Sequence, residues 1–194
     1  MNTAAFRTAL LLGTFVSGCL SAQNVVLAPD FDSATITPPW TPNDATIAFD
    51  GTRNAVGAPG SGSIVVTNTA ANGLAASAFE CIDQPFAPGP YDFGGWMLFP
   101  PGQPGVAEVA IIFYSSAGCG GSSAGVASVS IASASSWTLS TGVIDAPSNV
   151  LSASVDLRID TPIGASPPVQ GWFDGIRLGP VPTMPVELQS FFVD

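Results

Sequence analysis

The sequence predicts an all-β protein, an antiparallel β-sandwich of jelly-roll type. Three observations predict it. The 194 residues include 21 Gly and 18 Pro, which punctuate the chain at short intervals. Ala, Ser, Thr and Val dominate the remainder, a mixture that disfavours long helices and suits short strands. Apolar residues also recur with period two: Val155, Leu157 and Ile159 alternate with Asp156, Arg158 and Asp160, as in a half-buried antiparallel strand.

The expected strands follow in order. Val25–Leu27 is a short apolar strand stopped by Pro29. Thr46–Phe49 and Ser63–Thr67 are strands separated by the Gly/Pro loop 57–62. Ala75–Ile82 is a weaker strand, and residues 84–90 form a turn. Tyr91–Phe99 has two central glycines and ends at Pro100, Pro101 and Gly102. Val106–Tyr114 has the strongest β character and a single charge, Glu108. Residues 115–125 form a Gly/Ser-rich loop that carries Cys119. Val126–Ser133, Trp137–Ile144, Val155–Asp160 and Gly171–Leu178 complete the set. Many short strands at regular turn spacing describe a sandwich or jelly roll rather than a helical or α/β fold.

Both ends lie outside this pattern. Residues 1–22 have one positive charge, Arg7, an apolar run from Ala9 to Val16, and small residues before Gln23. That is the layout of a secretory signal. The run is too short for a transmembrane span. Cleavage after Ala22 would release a soluble protein. Residues 16–19, Val-Ser-Gly-Cys, also resemble a bacterial lipobox, in which Cys19 would carry a lipid anchor. The domain proper is expected over residues 23–180, followed by a Pro-rich linker and tail over 181–194. The tail could add as a strand to a partner or pack on the domain's own edge. The expected location is secreted or cell-surface.

Charge and cysteine content narrow the chemistry. The net charge is −10, with four Arg, no Lys and no His. Without a basic patch, nucleic acid is excluded as a partner. Without His, a Ser-His-Asp or Cys-His centre is excluded, and without Lys so is Schiff-base chemistry. The Gly-rich stretch 118–121 lies between strands with no following helix, so it is no phosphate loop. After the signal, Cys81 and Cys119 remain. Outside the cytoplasm they read as one disulfide, with two free thiols as the alternative.

Several stretches together resemble carbohydrate-binding modules of the jelly-roll, galactose-binding-like kind. Residues 24–32 followed by Trp40 resemble their opening strand and turn. Residues 88–96, ending in Trp96, resemble their central strand, and residues 172–178 their closing strand. The resemblance implies a structural calcium held by Asp32 and Asp174, with Asp50 as a further carboxylate. Calcium takes six to eight oxygen ligands, so converging carboxylates suit it. The alternative is that these residues are turn caps.

The resemblance also implies a sugar-binding face, where flat aromatic rings and a few fixed polar groups meet the ligand. Parity places Asp92, Trp96 and Leu98 on one side of their strand, and Glu108, Ala110, Ile112 and Tyr114 on one side of the next. Trp96, Tyr114, Asp156 and Arg158 are therefore the candidate ligand residues, expected together on one exposed sheet. Against this stands the tendency of Trp and Tyr to pack in a core, and of Arg158 to pair with a neighbouring Asp. The expected function is a secreted, non-catalytic module that binds a polysaccharide or other glycan. The alternatives are a structural or adhesive envelope protein and, last, a glycan-active enzyme.

Overall fold

A computed structural model describes Phe31 and residues 40–55, 61–70, 75–166 and 168–181. Ten strands run in chain order: β1 (Thr41–Asn43), β2 (Ala45–Asp50), β3 (Ser63–Asn68), β4 (Ala76–Ile82), β5 (Gly89–Leu98), β6 (Val106–Tyr114), β7 (Ser123–Ile131), β8 (Thr138–Ala146), β9 (Ser152–Asp160) and β10 (Val169–Pro180). They form two five-stranded antiparallel sheets. The first has the order β1-β4-β9-β6-β7 and the second β2-β3-β10-β5-β8. The chain crosses repeatedly between the sheets, which gives the expected jelly-roll sandwich.

Alternation drives the packing. Ala107, Val109, Ile111 and Phe113 of β6 point inward, as do Ala153, Val155, Leu157 and Ile159 of β9. They meet Tyr91, Phe93 and Met97 of β5, Phe173 and Leu178 of β10, and Ile64 and Val66 of β3. Phe86, Tyr91 and Phe113 form an aromatic knot, with ring centroids 5.3 to 5.9 Å apart. Such edge-on and tilted contacts add to the burial each ring already contributes.

The two central glycines of β5 have a packing cause. β10 bulges between Asp174 and Arg177, opposite this pair. A Cβ at Gly95 would stand 2.5 Å from Ile176 Cδ1. Gly94 has φ +132°, and a Cβ there would lie 2.2 Å from the Ser140 carbonyl oxygen of β8. Only glycine lets β5 be sandwiched so closely between its neighbours.

Most expected strands appear with ends shifted by a few residues. β7 begins at Ser123, inside the expected loop, because Gly125 and its neighbours still pair with β6. β1 was not expected: its three residues are polar and exposed, and it exists only as an edge ladder on β4. Val25–Leu27, the signal, Cys19, Asp32 and the tail beyond Val181 lie outside the described residues. No helix among the described residues is long and apolar enough to cross a membrane.

Candidate glycan-binding face

The outward face of the first sheet is set by register. Glu108 of β6 pairs with Arg158 of β9, which pairs with Ser77 of β4. The next row is Ala110, Asp156 and Phe79, and the one after it Ile112, Ser154 and Cys81. Tyr114 and Ser152 close the end. Edge strand β7 adds the exposed Val126, Ser128 and Ser130 beside β6.

Side-chain size shapes this face. Short residues, Ala110 and Ser154, sit between longer ones, Phe79, Ile112, Tyr114 and Arg158. The centre is correspondingly sunken: Ser154 is 3% exposed and Asp156 9%, whereas Val126 at the rim is 59% exposed. The result is a shallow trough across the sheet.

One end of the trough is walled. The Cys81–Cys119 disulfide, with Cα atoms 5.8 Å apart, ties the loop after β6 back across β9 to β4. Ser152 Oγ donates to the Ser116 carbonyl at 2.6 Å and accepts from the Cys119 amide at 2.9 Å. The Gly118 amide donates to Asp83 at 2.7 Å. The expected pairing of the two cysteines is therefore present, and it braces the wall.

The polar centre is a charge cluster. Arg158 Nη2 donates to Asp156 Oδ2 at 2.9 Å, and Nη1 donates to Glu108 Oε1 at 3.3 Å. Burial lowers the Arg158 pKa, but the Asp156 hydrogen bond and the charges of Asp156, Glu108 and Asp160 outweigh it and raise it overall. Asp156 Oδ1 and Ser154 Oγ are buried and have no hydrogen-bond partner. Buried polar atoms normally have one; Asp156 Oδ1 can only accept, while the Ser154 hydroxyl can accept or donate.

Tyr114, Asp156 and Arg158 thus meet on one face as expected. Trp96 does not join them. It lies on the outward face of the second sheet, between Asp174 of β10 and Leu139 of β8. β5 and β6 are consecutive in sequence but belong to opposite sheets, so the core separates Trp96 from Tyr114. Phe79 and Ser154 take part instead. Their signal was available: parity within β4 and β9 puts them on the faces of Cys81 and Asp156.

The metal candidates behave differently. Asp50 accepts the Thr52 amide at 2.9 Å, the Thr52 hydroxyl at 2.6 Å and Trp172 Nε1 at 2.8 Å, and it pairs with Arg53 at 3.6 Å. Burial pushes its pKa up, but these donors bring it below the usual carboxylate value. A carboxylate already held by four donors, one of them a guanidinium, does not fit a calcium ligand set. Arg53 also stacks 4.3 Å over the Trp172 ring. Asp174 is fully buried, accepting the Ala55 amide at 2.8 Å and the Gly175 amide at 2.7 Å. Both aspartates pin the loop after β2 onto the second sheet, a role close to the capping alternative. Among the described residues, no group of three or more His, Cys, Asp or Glu is placed to hold a metal.

No protein-family model matches the chain, and no curated protein sequence matches it. Solved structures do. The family 22 xylan-binding domain CBM22-1 of Paenibacillus barcinonensis Xyn10C is 12% identical with a TM-score of 0.59, covering 81% of this chain and 95% of that one. TmCBM61, in complex with β-1,4-galactotriose, is 14% identical with a TM-score of 0.50, covering 80% and 97%. The CBM22-1–GH10 modules of Clostridium thermocellum xylanase 10B, complexed with xylohexaose, are 14% identical with a TM-score of 0.59 over 80% of this chain. The chain spans 28% of that xylanase fragment, and 20% of the active domain of bacteriophage CBA120 tailspike protein 4, which it also matches. At these identities the likeness is one of fold, and the fold is the β-sandwich of carbohydrate-binding modules.

Proposed function

We propose that the protein is a non-catalytic glycan-binding module working outside the cytoplasm, and that the trough of the first sheet is its binding face. The observation that carries this reading is that two buried, unpartnered atoms of this face, Asp156 Oδ1 and Ser154 Oγ, lie in the row of Phe79 and the row next to it toward Tyr114. A sugar ring offers what this arrangement lacks: hydroxyls that donate to Asp156 and exchange a hydrogen bond with Ser154, and a C–H face for the aromatic rings. Structural neighbours described as binding xylan, xylohexaose and galactotriose support the same reading.

Catalysis is disfavoured by the site's own chemistry. Glu108 and Asp156, the carboxylates at the centre of the face, are both engaged by one guanidinium. The disulfide fits an oxidising compartment. A second reading, self-association or binding of another protein, draws on the exposed Leu139 and Val143 of edge strand β8. Isothermal titration with xylan and β-1,4-galactan tests the first reading. Wild type binds one of them, and Tyr114→Ala and Asp156→Ala weaken that binding at least about tenfold. Absence of binding to any neutral glycan, together with dimerisation abolished by Val143→Asp, would transfer support to the second.

A further inference from the structure

We infer that this face discriminates by charge, accepting uncharged glycans and rejecting acidic ones. The inference rests on the glycan reading and specifies its ligand class. Its basis is the distribution of cations. The described residues contain three arginines, and only Arg158 lies on the trough. Arg53 lies over Trp172 and Arg177 opposite Gly94, both on the second sheet.

Arg158 is also already committed. One terminal nitrogen meets Asp156 at 2.9 Å and the other meets Glu108 at 3.3 Å. Asp160, two residues along the same face of β9, adds a third carboxylate within its field. A single cation thus faces three anions, and each of its terminal nitrogens already meets a protein carboxylate. A uronate or sulfate would have to share that fork with Asp156 and Glu108, against the net negative charge around it.

The unpartnered atoms point the same way. Asp156 Oδ1 can only accept, and Asp156 is nine-tenths buried. A hydroxyl satisfies it. A ligand carboxylate brings no donor at neutral pH and adds like charge in a poorly solvated place. The trough is therefore built for donors and lacks a counter-ion for acids.

Matched ligands provide the test. Binding is measured for β-1,4-galactan and for the same chain oxidised at C6 to the uronate, and for xylan with and without glucuronate branches, at low and high salt. The acidic form is expected to bind at least about tenfold more weakly at low salt, with the gap narrowing as salt rises. The double variant Glu108→Gln/Asp160→Asn, its fold checked by circular dichroism, should shrink the gap further by freeing one side of Arg158. Equal or tighter binding of the acidic chain by wild type would overturn the inference, as would an unchanged gap in the double variant. Failure to bind either neutral chain would instead sink the glycan reading, and the inference with it.

Discussion

Arg158 and Asp156 lie two residues apart on β9, and their side chains meet at 2.9 Å on the outward face of the sheet. The same guanidinium reaches across to Glu108 on β6. All three side chains are largely covered, with 25%, 12% and 15% of their surface exposed. Removing the cation leaves two carboxylates facing each other with little water. Arg158→Ala is expected to cost about 2 kcal/mol of stability in urea unfolding. Adding Glu108→Ala to it should recover part of that loss, and a strictly additive double variant would show that the charges are not coupled.

Glu80 gives the fold a pH dependence. It occupies the inward side of β4, in register with the core residue Val155. Burial raises its pKa from the ordinary 4.5 to about 7. The folded state therefore holds this proton more tightly than the unfolded chain does. The stability it contributes is complete below about pH 4.5 and is lost as pH rises to about 7. Melting temperatures across pH 5 to 8 should fall, and Glu80→Gln should flatten that slope and melt higher than wild type at pH 8. A Glu80→Gln profile parallel to wild type would show that another group is responsible.

The Cys81–Cys119 disulfide closes a loop with a sequence separation of 38. In the chain-entropy model a loop of that size corresponds to about 4 kcal/mol. Cys81→Ser/Cys119→Ser should lower stability by up to that amount. Because the wall loop loses its tie to β4, glycan binding should weaken as well. Full affinity in a folded double variant would show that the wall is not part of the binding face.

Gly94 combines φ +132° with a close approach to the Ser140 carbonyl. Gly94→Ala should cost about 3 kcal/mol, through backbone strain and forced separation of β5 from β8. Gly102, with φ +87° but open space around it, should cost less on the same change. Comparing the two melting temperatures separates the steric part from the strain.

Much of this arrangement was legible in the sequence, and the reasons differ by element. The alternation in 155–160 fixes both the strand and its outward charges, because period two leaves no other placement for three apolar residues. The disulfide follows from Cys81 and Cys119 being the two cysteines within the expected domain, residues 23–180. Trp96 shows the limit. Parity correctly separates it from Tyr91 and Phe93 along its own strand, yet parity says nothing about which sheet a strand joins. Here β5 and β6 lie in opposite sheets while β6 and β7 share one, and that assignment comes from long-range pairing. Asp50 shows a second limit: its carboxylate is claimed by Trp172, far along the chain. β1 carries no apolar signal because it only lines an edge.

The two outward faces make the central claim separable. Titration calorimetry with the best-bound neutral polysaccharide compares Tyr114→Ala, on the first sheet, with Trp96→Ala, on the second. The account predicts that Tyr114→Ala loses about tenfold or more in affinity while Trp96→Ala binds like wild type. Binding lost in Trp96→Ala and kept in Tyr114→Ala would contradict it.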